Sequence, residues 1–146
     1  MIGVALSGVG VDVERVVDSD TLSDVVPLLH PHEQVEIRDS GGESCGLFTQ
    51  LWTRKEAYRK ALGQGLTAPL DADDVGHELE EPRLVGSRWV WDVPAGEHLA
   101  AAAATSVRVV EQRIRHLKPS ASECRALMSE PARMHHVRFH TARASL

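Results

Sequence analysis

Hydrophobic positions alternate with polar or small ones at the start of the chain, take a helical period in the middle, and alternate again further on. Residues 2–14 (IGVALSGVGVDVE) read as a strand. Val9, Val11 and Val13 share one face, and Gly10, Asp12 and Glu14 the other. Gly8 and Gly10 predict a turn or a close approach by another part of the chain. From Ser19 the period is helical, with Leu22, Val25, Val26 and Leu29 on one face. Pro27 keeps this helix short. A second helix start falls at His30-Pro31-His32-Glu33, where proline suits the first turn. Asp39-Ser40-Gly41-Gly42 reads as a loop.

The clearest helix runs from about Glu43 to Leu62. Leu47, Leu51, Tyr58 and Leu62 form its apolar stripe, widened by Phe48 and Ala61, and Gly63-Gln64-Gly65 ends it. Thr67-Ala68-Pro69-Leu70 reads as extended, Arg88 to Val93 as a strand, and Pro94-Ala95-Gly96-Glu97 as a turn. Leu99–Ala104 is ambiguous. Alanine favours helix, but the position after a strand and a tight turn favours a hairpin partner, and strand is the reading adopted. Trp89 and Trp91 share a strand face and are expected in the core. The fold class is therefore α+β: a small antiparallel sheet with one main helix packed on it.

With 146 residues, 42% of them hydrophobic, the chain is one globular domain with room for a tail. Aromatic residues are only 4%, so Val, Leu and Ala carry the packing. No apolar run is long enough to span a membrane. The start lacks a basic secretory leader, and Cys45 and Cys124 stand in no metal-type spacing. A cytoplasmic protein is expected. Residues 1–116 carry 11 Lys and Arg against 19 Asp and Glu, whereas 117–146 carry 5 against 2. An acidic body argues against nucleic acid. The basic segment 117–146, which lacks sustained periodicity, is expected to be a loosely ordered tail after a domain of residues 1–116. His135, His136 and His140 in it have helix-compatible metal spacing but no acid or cysteine cluster nearby.

Two charged clusters could carry chemistry. Asp12 and Glu14 project to the same side of one strand, where they repel unless a cation or proton intervenes. A hard divalent ion would relieve that repulsion, and so would simple solvation of the strand face. Trp52, Glu56 and Lys60 follow one i, i+4 row of the long helix, with Lys55 beside it. Glu56 and Lys60 alone would also serve as an ordinary surface ion pair.

Taken together, GVGVDVE and the later LWTRKEAYRKALGQGL resemble the phosphopantetheinyl transferase superfamily. Its members carry a G-hydrophobic-D strand and an aromatic-x-x-K-E-x-x-x-K helix. The D-x-E form, Trp52, the trailing Gly63-Gln64-Gly65-Leu66 and Thr67–Asp71 resemble the surfactin-synthetase type. The resemblance covers about residues 2–110 and only the C-terminal half of that type, a pseudo-dimer with coenzyme A bound between its halves. The Ser-His element of the other half has no counterpart here.

The resemblance implies transfer of 4'-phosphopantetheine from coenzyme A to a serine of an acyl or peptidyl carrier protein, with magnesium. Asp12, Glu14 and Glu56 would hold the metal. Lys60 and Lys55 would meet the coenzyme A phosphates. Glu56, or a metal-bound water beside it, would be the base for the serine hydroxyl, and Glu56 and Lys60 are the expected catalytic pair. A half-length chain would assemble into a homo-oligomer, covering apolar surface around Val11, Val13 and Leu99–Ala104. Alternatively it would be a truncated, non-catalytic module that binds carrier protein or serves a structural role.

Overall fold

The computed structural model describes residues 8–64, 68–76 and 81–108. Strand β1 (Val9–Arg15) leads to helix α1 (Ser19–Val25), which Asp18 caps by accepting from the Thr21 N–H at 2.9 Å. Pro27 follows, and the chain tightens into a 3-10 turn at Val26–Leu28. Helix α2 (Pro31–Asp39) starts at the expected proline. His30 and Glu33 form a reciprocal capping box there, with histidine in the place usually held by serine or threonine. The expected loop at Asp39–Gly42 is tighter than its glycines suggest. A 3-10 turn at Gly41–Glu43 joins α2 directly to helix α3 (Ser44–Leu62).

Helix α3 ends at Gly63 in the left-handed conformation, whose N–H bonds back to the helix. Ala68–Leu70 bends and turns instead of extending, and Thr67 lies outside the described residues. Strands β2 (Arg83–Val85), β3 (Arg88–Asp92) and β4 (Leu99–Thr105) complete the fold. At three residues, β2 is too short for its period to be read from the sequence.

The described strands form one antiparallel sheet in the order β1-β4-β3-β2. Leu99–Thr105 is a strand because β1 and β3 flank it on both edges, which overrides the helix propensity of alanine. Ala102 and Ala104 pack toward the cluster built on α3, while Ala101 and Ala103 join Trp91 and Val93 in a second cluster. Trp91 is buried as expected, and Trp89 is half-buried beneath the Arg108 guanidinium, 5.4 Å from the ring centre. The expected apolar surface is smaller than the sequence suggests. Val13 and Leu99 are exposed, but Ala100–Ala104 are buried and Val11 is half-buried. Residues 1–7, Val109, Val110 and the whole segment 117–146 lie outside the described residues. No helix among the described residues is long and apolar enough to cross a membrane.

Candidate active site

Helix α3 lies across β1 at Gly10. A Cβ there would sit 1.9 Å from the Ala57 carbonyl oxygen and 2.4 Å from the Ala61 nitrogen, so only glycine permits this crossing. Period two places Asp12 and Glu14 on the same strand face as Gly10. Glu56 and Lys60 stand one helical turn apart on α3. The crossing therefore brings together side chains from the two sequence clusters.

Lys60 donates to Asp12 Oδ1 at 2.6 Å. Asp12 is 8% exposed, and its Oδ2 is buried with no hydrogen-bond partner. Glu56 Oε1 is buried and unpartnered in the same way. Burial pushes the Glu56 carboxyl above its usual range; Asp12 adds to this, while Lys60 and Arg59 oppose it. Glu14 is raised as well, first by burial and then by Asp12 and Glu56, with Lys60 opposing. Asp12, Glu14, Glu56 and Lys60 thus share one electrostatic environment. The carboxylates stand apart instead of forming a closed shell: among the described residues, no three acidic, histidine or cysteine side chains stand close enough together to hold a metal ion. The donor chemistry nevertheless fits a hard divalent ion. It offers carboxylate oxygens, two of them buried and unsatisfied, in a cluster where burial first, and neighbouring carboxylates second, raise the proton affinity of Glu14 and Glu56.

Lys55, for which the resemblance implies a phosphate contact, stands outside this cluster in the structure. Its ammonium pairs with Glu33 at 2.9 Å and donates to the Asp73 carbonyl, with Lys55 2% and Glu33 0% exposed. Glu33 in turn accepts from the Val75 N–H at 3.0 Å and the His30 N–H at 3.2 Å. The physical reason is helix geometry, since successive residues of α3 point about 100° apart. Glu56 turns toward β1 while Lys55 turns toward α2 and the segment after α3.

Several charged groups that the sequence did not single out fix this arrangement. Arg54 grips Asp92 with two hydrogen bonds, the Nε one at 2.7 Å, and also donates to the Gly76 carbonyl. Tyr58 donates to Asp73 Oδ1 at 3.3 Å, and Arg59 donates to the Pro69 carbonyl. No sequence pattern marks Arg54, Tyr58 or Arg59 for these contacts. Their acceptors lie far away along the chain, and no spacing rule links them.

A family model for the 4'-phosphopantetheinyl transferase superfamily matches residues 8–103, spanning β1, all of α3 and most of β4. No curated protein matches the chain. The match contains both the strand that presents Asp12 and Glu14 and the helix that presents Glu56 and Lys60, and it extends over most of the sequence: the chain belongs to the 4'-phosphopantetheinyl transferase superfamily.

Proposed function

We propose that this chain transfers 4'-phosphopantetheine from coenzyme A to a serine of an acyl or peptidyl carrier protein. The observation that carries the reading is the junction of Asp12, Glu14, Glu56 and Lys60 where β1 crosses α3. In the reaction, the serine Oγ bonds to the phosphorus that bears the pantetheine arm. The bond from that phosphorus to the bridging oxygen breaks, and adenosine 3',5'-bisphosphate leaves with the electron pair. The serine proton goes to a base. The Glu56 carboxylate, whose buried Oε1 has no partner in this structure, is the candidate to take it.

Asp12, Glu14 and Glu56 would draw closer than they stand in this structure to hold magnesium, which supplies charge stabilisation at the pyrophosphate when bound. Lys60 is 47% exposed at its side chain, so its ammonium is free to leave Asp12 and meet phosphate when a metal ion takes its place. The D-x-E strand and Trp52 favour the surfactin-synthetase type, of which this chain resembles the C-terminal half. Strand β1 is an edge of the described sheet, and Val13, Val16 and Leu99 lie exposed along it. That edge suits a homo-oligomer in which a second copy completes the coenzyme A cleft. The reading places the chain in the cytoplasm with no membrane partner, and its net charge of −5 argues against nucleic acid.

The test is incubation of the chain with coenzyme A, magnesium and an apo carrier protein, followed by intact-mass measurement of the carrier. A carrier heavier by one phosphopantetheine supports the reading. Carrier binding without a mass change refutes it and favours the non-catalytic module.

A further inference from the structure

Resting on the reading of this site as one that binds coenzyme A, we propose that Arg59, and not Lys55, is the second cation of its phosphate-binding element, beside Lys60. Lys55 is tied down in the interior, where its buried ammonium pairs with the Glu33 carboxylate and donates to the Asp73 carbonyl. Arg59 differs in this respect. Its Nη2 is anchored on the Pro69 carbonyl, but its Nη1 is buried with no hydrogen-bond partner, in a residue only 3% exposed. A guanidinium keeps its charge at any working pH, and an unsatisfied buried donor on a charged group is costly. Such a donor has most to gain from an anion.

The position of Arg59 identifies that anion. Glu56, Arg59 and Lys60 stand at i, i+3 and i+4, on one flank of α3. The charges of both Lys60 and Arg59 reach the Glu56 carboxylate. Three carboxylates with one divalent ion leave one negative charge, and a bound diphosphate adds about two more. A single lysine does not balance that, whereas a planar guanidinium with a spare donor beside it reduces the excess and offers directed hydrogen bonds to phosphate oxygen. Nη1 is closed to water in this structure. Phosphate reaches it when the guanidinium turns about its Pro69 anchor, keeping the Nη2 hydrogen bond and giving Nη1 the partner it lacks.

The experiment is calorimetric titration of the full chain with coenzyme A, in the presence and absence of magnesium. Arg59→Gln should weaken binding about 10–100-fold, the value of a charged hydrogen bond expressed as affinity. Arg59→Lys should recover part of that loss. The double variant Lys55→Met/Glu33→Met, which removes a buried ion pair as a unit, should bind coenzyme A as the unsubstituted chain does. Affinity unchanged by Arg59→Gln but lost in the double variant overturns the proposal. Should the Arg59 variants fail to fold, the unsubstituted chain decides. With labelled arginine, the Arg59 Nη resonances should move when coenzyme A or pyrophosphate saturates the protein, and immobile resonances overturn the proposal. An unsubstituted chain that binds neither ligand overturns the transferase reading, and this inference with it. One that binds coenzyme A without involving Arg59 overturns this inference alone.

Discussion

Replacing Gly10 by alanine tests the β1–α3 crossing directly. The added Cβ would lie 1.9 Å from the Ala57 oxygen and 2.4 Å from the Ala61 nitrogen, and both atoms belong to the helix backbone, so no side chain can swing aside. Contacts of this kind relax at about 3.5 Å, so strand and helix must part by roughly 1.5 Å. Overpacking of a rigid core costs about 1–3 kcal/mol, and a clash against backbone belongs at the upper end. A loss of about 3 kcal/mol lowers the melting temperature of a domain this size by more than about 10 °C. The same separation would carry Asp12 away from Lys60, now 2.6 Å apart, so metal and coenzyme A binding should fall along with stability. Gly8→Ala is the internal control. Its Cβ would meet nothing nearer than the Ala61 oxygen at 3.6 Å, an ordinary contact. Urea unfolding of the three proteins, with slopes compared to confirm similar exposed surface, gives the free energies. A Gly10→Ala protein within about 0.5 kcal/mol of the parent would refute the close crossing and the site geometry built on it.

Lys55→Met should cost about 3–5 kcal/mol by stranding the Glu33 charge, and adding Glu33→Met should recover most of it; failure to recover in urea melts would show that the pair is not buried as a unit. Glu56→Gln addresses the raised carboxyl. Burial lifts Glu56 above 4.5 in the folded state, so its ionisation near neutral pH costs stability, a cost that fades as pH falls through the raised value toward 4.5. Without metal, Glu56→Gln should therefore be the more stable protein near neutral pH, with the gap closing as pH approaches that of the unfolded carboxyl; a gap independent of pH contradicts the shift. Magnesium should raise the melting temperature of the parent, by about 2.7 kcal/mol of stability at a hundredfold excess over its dissociation constant, and should do little for Glu56→Gln. Equal stabilisation of both would remove Glu56 from the metal ligands.

What the sequence made legible follows from periodicity. The alternation at Val9–Glu14 and the helical stripe from Leu47 to Leu62 each set the direction of side chains within one element. The small residue at Gly10 marked where another element would come close. Period says nothing of what stands opposite, however. That Lys55 meets Glu33, or Arg54 meets Asp92, depends on how α3 is rotated against α2 and β3, and that rotation is settled by packing of the whole core. Adjacent residues of a helix have different neighbours, so the lysine and glutamate of one short motif separate into an interior tether and a candidate ligand. Strand β2 escaped notice because three residues carry too little pattern. The Leu99–Ala104 segment was decided by its place after a turn, since its composition pointed to helix.

The strand order also fixes when the site can come into being. In the described sheet β1 has one strand neighbour, β4, and most of the described chain lies between them in sequence. During synthesis β1 and α3 emerge early, but the backbone of β1 gains its ladder only when Leu99–Thr105 has been made and has taken its place between β1 and β3. Contacts this distant along the chain form slowly, because loop closure is opposed by chain entropy until the ladder exists. Asp12 therefore acquires its fixed position late. Asp12 and Glu14 become part of a site only when the last described strand pairs beside them.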